Sequence, residues 1–264
     1  MGHSGQSILV PKRRPNARRR LFCFPHAGVG PSVYRGWADD FSADAEVCLI
    51  QPPGREGRLR EAPCSSIAAL VPMLLEHMLP LLDRPFAFYG HSLGATVAFE
   101  CALHLRRAHS LGPFHLFVGA SPAPQVRWHH PPLRSLPEKD LLDEMEKRYG
   151  GLPREVLADS EMRALVLPIL RADITSIETY VYSPEPPLPC DLTVFGGLQD
   201  HMVKKSELEK WRDHATGRFR LQMLDGNHLF LKLCRAQLLE SIAGEWDGGC
   251  KSMQPAGAFD ETRT

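Results

Sequence analysis

The chain has 264 residues, 43% of them hydrophobic, and its 31 basic and 31 acidic side chains cancel to zero net charge. That length suits one large α/β domain, with or without an inserted subdomain, and zero charge offers no overall field for nucleic acid or an anionic membrane. Seven cysteines, odd in number and without CxxC spacing, favour reduced thiols in a cytoplasmic protein over a disulfide framework or a zinc site, and no apolar run reaches membrane-spanning length.

Residues 1–20 carry Lys12, Arg13, Arg14, Arg18, Arg19 and Arg20 with two prolines. No apolar run of signal-peptide length follows, so they read as a flexible basic tail. Leu21 to Phe24 is an expected buried strand, ended by Pro25 and a small-residue loop from His26 to Pro31. Ser32 can cap a helix running through Trp37 to Phe41. Val47 to Ile50 is a second strand, stopped by Pro52-Pro53-Gly54 and the charged loop Arg55 to Arg58. Ile67 to Leu82 has helical spacing, with Ser65 or Ser66 as cap and Pro72 early in the helix. Phe86 to Tyr89 is an apolar strand followed by a helix to about His109, and Phe114 to Ala120 is the next strand.

From about Val126 to Tyr182 no strand is predicted. Ser135-Leu136-Pro137-Glu138 resembles a capping box before a helix from Asp140 to Tyr149, with Gly150-Gly151 as its end. Glu161 to Thr179 is a second helix, with a break or kink at Pro168. Leu192 to Gly197 resumes the sheet. A helix from Ser206 to Ala215, a last strand from Phe219 to Leu224 and a helix from Leu229 follow. Strands alternating with helices predict a mainly parallel sheet covered on both faces. The expected division is a tail (1–20), one α/β domain (21–246) with a helical insertion at about 126–182, and a loose polar tail (247–264). A helical insertion beside the carboxyl edge of a sheet reads as a lid. Its apolar residues, Leu141, Met145, Leu167 and Leu170 among them, are expected to line a substrate channel.

Gly90-His91-Ser92-Leu93-Gly94, between a buried strand and a helix, has the G-x-S-x-G pattern of a nucleophile elbow. Such a turn holds its serine in a strained conformation, and the flanking glycines let strand and helix approach closely. An activated serine needs a base, and the base an orienting carboxylate. In the α/β-hydrolase fold these follow in the order serine, acid, histidine. Among the later histidines, His228 stands in a tight loop directly after a strand, where catalytic groups of such sheets gather. Asp200 lies just past the carboxyl end of the Leu192–Gly197 strand and is the expected acid, with Asp225 a competitor. The tetrahedral intermediate needs two N–H donors. Leu93, after the nucleophile, and Ala27, in the loop after the first strand, are in the places to supply them. His26 reads as a loop residue bonding locally.

Several blocks together carry a family resemblance. Phe24-Pro25-His26-Ala27-Gly28, Gln51-Pro52-Pro53-Gly54-Arg55-Glu56, Tyr89-Gly90-His91-Ser92-Leu93-Gly94 and Ala98-Phe99-Glu100 resemble the type II (editing) thioesterases of polyketide and nonribosomal peptide synthesis. Leu167-Pro168-Ile169-Leu170-Arg171-Ala172-Asp173 is similar to that family's lid signature. Gly196-Gly197 with Asp200, Trp211, and Gly226-Asn227-His228-Leu229-Phe230-Leu231 are similar to its later blocks. The resemblance runs from about Leu21 to Leu239. Two positions depart from the pattern: Gln199-Asp200-His201 stands where Asp-Asp-Pro is usual, and Gly226-Asn227-His228 where Gly-Gly-His is.

The resemblance implies an α/β-hydrolase that cleaves thioesters, with Ser92, Asp200 and His228 as triad. Its implied substrates are acyl groups on the phosphopantetheine arm of acyl or peptidyl carrier protein domains, removed to clear stalled or wrong intermediates. No metal or bound cofactor is expected, and the protein is expected to act as a monomer. A general esterase or lactonase on the same fold, and a catalytically silent carrier-docking protein, are the competing readings.

Overall fold

The computed structural model describes residues 5–127, 129–150 and 158–248. Its strands are β1 (Ile8–Leu9), β2 (Arg19–Phe24), β3 (Ala45–Ile50), β4 (Phe86–His91), β5 (His115–Gly119), β6 (Asp191–Gly197) and β7 (Phe219–Leu224). They form a sheet in the order β1-β3-β2-β4-β5-β6-β7. Every pairing is parallel except that of β1, which runs antiparallel to β3. The helices are α1 (Trp37–Asp40), α2 (Ile67–Met78), α3 (Leu93–His109), α4 (Glu138–Tyr149), α5 (Ser160–Glu178), α6 (Lys205–Glu209), α7 (Phe230–Leu233) and α8 (Arg235–Gly248).

The two-residue period of a strand sorts the core into two layers. Phe22 and Phe24 of β2 pack on one face with Leu70 and Leu74 of α2 and with Val97 and Phe99 of α3. Leu21 and Cys23 of the same strand pack on the other face with Trp37 and with Leu238 and Ile242 of α8. Both faces are therefore buried, which explains why β2 to β5 read as continuous apolar runs. The insertion has a small core of its own, built from Leu133, Leu141, Leu142, Met145, Leu170 and Ile174.

The basic segment is not a loose tail over its described part. Ile8 and Leu9 pair with Ile50 and Leu49, and the Arg14 guanidinium donates to the carbonyls of Ala38 at 2.7 Å and Ala45 at 2.7 Å. Arg20 is buried and donates from Nε to Glu46 at 2.7 Å. Two apolar residues give no periodic signal, and the acceptors lie far off in sequence, so composition alone misreads the segment. Residues 1–4, 151–157 and 249–264 lie outside the described residues, and with them the Gly151 stop and most of the C-terminal tail.

Other elements differ in detail. The helix expected from Ser32 is a 3-10 turn over Pro31–Tyr34 followed by the single turn of α1, the two separated at Gly36 with φ of 82°. Ser66 does cap α2, accepting from the Ala69 N–H at 3.4 Å. The Ser135–Glu138 capping box does not form; Pro137 is the N-cap of α4 without a side-chain bond, and Glu138 pairs with Arg163 at 3.2 Å instead. Pro168 does not break α5, which runs on to Glu178. Its N-cap is Asp159, which accepts from Glu161 N–H at 2.8 Å. The helix after β6 is the short α6 and then a 3-10 turn over Lys210–His214.

Candidate active site

Ser92 sits at the β4–α3 junction with φ of 53° and ψ of −118°. Few L-residues adopt that conformation, and it is held by what surrounds it. The Ser92 N–H donates to Gly119 O at 2.7 Å, and its carbonyl accepts from Ala95 N–H at 2.9 Å. The flanking glycines are a steric requirement. A Cβ at Gly90 would fall 2.3 Å from the Gly94 oxygen, and one at Gly94 only 2.2 Å from the Phe24 oxygen.

His228 follows β7 and Asp200 follows β6, so both arrive at the same sheet edge as Ser92. His228 Nε2 lies 3.0 Å from Ser92 Oγ, and its Nδ1 lies 2.9 Å from Asp200 Oδ2. Asp200 Oδ1 is held by the N–H groups of Met202 at 2.8 Å and Val203 at 3.2 Å. The side chains of Asp200 and His228 are 1% and 5% exposed, so their pairing is shielded from water. Asp225 is elsewhere. It is exposed and accepts from Gln199 Nε2 at 2.8 Å. The unusual Asn227 caps the turn that carries His228, accepting from Leu229 N–H at 3.0 Å.

Leu93 is the first residue of α3, where an N–H has no partner within the helix and forms part of the positive end of its dipole. The Ala27 N–H, in the loop after β2, has no protein acceptor among the described residues. His26 bonds locally as its position predicts: its Nδ1–H donates to Ala27 O at 3.0 Å. Burial lowers its pKa to about 4, so the ring is neutral.

Two cavities meet at the serine, and Ser92, Tyr149, Ile177 and His228 line both. The smaller, about 160 Å³, is walled by Ala27, Gly28, Met145, Val166, Leu170 and Ile174. The larger, about 500 Å³, runs between Thr96, Pro122, Arg127, Tyr180, Val181 and Met202. Of the four expected channel residues, Met145 and Leu170 line the smaller cavity. Leu141 lies inside the core of the insertion and Leu167 packs against that core. Tyr149 was not singled out from the sequence, although its ring centroid stands 4.9 Å from that of His228. A lone tyrosine at the end of a charged helix carries no signal of that role.

A mainly parallel sheet with serine, acid and histidine at its carboxyl edge, and helices inserted after β5, defines the α/β-hydrolase class. A thioesterase domain family model matches residues 19–245, and the chain belongs to that family: it is a thioester hydrolase. It is similar to the gramicidin S biosynthesis protein GrsT of Aneurinibacillus migulanus, 38% identical over 85% of this chain and 87% of that protein. Among solved structures it is similar to the RedJ thioesterase from the prodiginine pathway of Streptomyces coelicolor, 34% identical with a TM-score of 0.82, covering 88% of this chain and 87% of that one. The type II thioesterase BorB from the borrelidin cluster is 31% identical with a TM-score of 0.80, covering 92% and 97%. No helix among the described residues is long and apolar enough to cross a membrane.

Proposed function

We propose that this protein removes acyl groups from the phosphopantetheine arm of carrier protein domains, clearing stalled or aberrant intermediates of polyketide or nonribosomal peptide synthesis. The observation that carries the reading is the pair of cavities joined at Ser92. A thioester has two arms, and both need room at the nucleophile. The smaller, apolar cavity suits a short acyl chain, and the larger one a pantetheine arm. The likeness to biosynthetic thioesterases supports the same substrate class.

Ser92 Oγ attacks the acyl carbonyl carbon while His228 Nε2 takes its proton. Asp200 holds the Nδ1–H and stabilises the imidazolium. The N–H groups of Leu93 and Ala27 receive the oxyanion. The thiol leaves with the proton from His228, giving an acyl-serine. Water, deprotonated by His228, then releases the acid and restores the serine. No step calls for a metal or cofactor. The protein is read as a monomer working in the cytoplasm, in keeping with the free thiols of Cys23, Cys48 and Cys101 in its core.

Mass spectrometry of a panel of acyl-loaded carrier proteins, before and after incubation, tests the reading. Acyl groups should be released by the wild type and retained with Ser92→Ala, since loss of the nucleophile in such triads costs on the order of a million-fold in turnover. Rapid hydrolysis of p-nitrophenyl esters with no release from any carrier would assign a general esterase instead.

A further inference from the structure

The oxyanion loop is held by the lid helix. Asp173, on α5, is 3% exposed and its Oδ2 accepts from the Gly28 N–H at 2.8 Å. The same oxygen accepts from Arg55 Nη2 at 2.5 Å. Arg55 is also buried, and its Nη1 donates to Pro53 O at 3.1 Å. The Ala27–Gly28 peptide is therefore gripped at both ends: its N–H by Asp173 and its C=O by the His26 ring at 3.0 Å. The same helix also closes the space beside Gly28, since Leu170 Cδ1 lies 3.2 Å from where a Gly28 Cβ would be.

This peptide needs such a grip. Gly28 has φ of 78°, and glycine accepts positive and negative φ with nearly equal ease. Sterics alone do not stop the Ala27–Gly28 plane from flipping. A flip would turn the Ala27 carbonyl toward the Asp173 carboxylate and break its bond to the ring of His26, the residue whose carbonyl carbon bears the Ala27 N–H. A buried carboxylate is costly unless paired and hydrogen-bonded. Burial pushes the Asp173 pKa up, and Arg55 and the Gly28 N–H oppose that push. The arrangement spends a buried ion pair on a backbone N–H of the catalytic loop.

We propose that Asp173, fixed by Arg55, is a positioning residue: it clamps the Ala27–Gly28 peptide and so keeps the Ala27 N–H aimed at the oxyanion only while α5 is seated. The inference rests on Ala27 being an oxyanion donor, as read above. Chain segments far apart in sequence, the Arg55 loop and the Asp173 turn of the lid, thus act on one peptide group. Withdrawal of the lid removes the acceptor of Gly28 N–H, which ties lid seating to competence of the site.

Two variants separate positioning from stability. Arg55→Met/Asp173→Leu replaces the ion pair by apolar side chains of similar size, a change that buried ion pairs often tolerate without loss of stability. It leaves Gly28 N–H without its acceptor. Asp173→Asn keeps an acceptor oxygen for Gly28 N–H but strands the Arg55 charge. On hydrolysis of an acyl-N-acetylcysteamine thioester, the double variant should melt no earlier than Asp173→Asn, which strands a buried charge, and should lose about 100-fold in kcat, the scale for one lost oxyanion donor. Its KM should stay within about threefold, because ground-state binding is untouched. Asp173→Asn should melt earlier yet keep kcat within about tenfold. A folded double variant with wild-type kcat would overturn the clamp, as would kcat falling in step with the thermal midpoint in both proteins. Absence of wild-type thioester hydrolysis, or of Ser92 acylation by a fluorophosphonate, would instead overturn the underlying assignment of the site.

Discussion

His91 Nε2 lies 2.8 Å from the backbone oxygen of His228. A carbonyl only accepts, so this nitrogen carries the proton and donates. Nδ1 is then free to accept from the Tyr89 hydroxyl at 3.2 Å. Burial lowers the His91 pKa well below the usual range, which keeps the ring in that neutral form. The residue before the nucleophile thus holds the backbone of the base, and the β4 and β7 loops are tied at a fixed spacing.

His91→Phe tests this tie. The ring volume is kept, but the His228 carbonyl and the Tyr89 hydroxyl lose their partner in a buried place. Leaving such groups unpaired costs about 1–3 kcal/mol each. Turnover should fall on the order of ten- to a hundredfold, because sub-ångström placement of the base governs the rate. Urea unfolding and thioester hydrolysis measure the two effects. Wild-type turnover in a folded variant would show that the His228 loop holds its own position.

Asp200→Asn should cost about four decades in kcat, because the loop keeps its shape while the charge facing His228 Nδ1 is lost. Asp225→Asn should leave turnover within about twofold, since Asp225 is exposed and faces Gln199. A larger loss in the Asp225 variant would reassign the acid.

The site was legible wherever its chemistry is local. The Gly90-x-Ser92-x-Gly94 turn needs small residues at fixed offsets, and those leave a mark in the chain. Asp200 and His228 each follow a strand, so place alone narrows the choice. The clamp on Gly28 was invisible, because Arg55 and Asp173 stand 118 residues apart and read separately as a charged loop and a helix residue. The family resemblance covers both blocks but does not say that they touch. The ordered basic segment was missed for a related reason. Charge alone reads as solvated surface, and only the fold supplies buried acceptors such as Glu46 and the Ala45 carbonyl.

Stability should fall in mild acid. Burial lowers the pKa of His26 and of His115 to about 4, and lowers that of His91 as well. Above pH ~6.5 these groups are neutral both folded and unfolded, and the stability is fully present. Between about pH 6.5 and 4 the unfolded chain takes up protons that the folded one refuses, so stability is lost as pH falls. His26 and His115 each contribute a loss of about 3 kcal/mol by pH 4, a large share of a typical domain's 5–15 kcal/mol. His115 lies away from the serine and bonds Thr193 Oγ1 through Nε2 at 2.9 Å. In His115→Gln an amide can keep that bond and does not titrate. Its thermal midpoint should therefore drop less between pH 7 and 4.5 than that of the wild type. Equal drops would mean that other groups drive the acid transition.

The helical insertion should set the length of acyl chain that the site accepts. The smaller cavity ends against Met145, Val166 and Leu170 of the insertion, and apolar walls favour an alkyl chain over water. Leu170 is the obvious residue to enlarge, but its Cδ1 also stands 3.2 Å from where a Gly28 Cβ would be. A tryptophan there would disturb the oxyanion loop and depress every substrate. Val166 lines the same cavity and is half-buried, and it lies one helical turn before Leu170. Val166→Trp should fill space at the lid without reaching Gly28. A cavity of about 160 Å³ leaves little room beside an added indole ring. Turnover of octanoyl and longer thioesters should fall at least about tenfold, while acetyl and propionyl thioesters stay within about twofold. That ratio is what one or two lost methylene contacts produce in kcat/KM discrimination. An equal loss for every chain length would show that the insertion braces the fold and that another wall sets the limit.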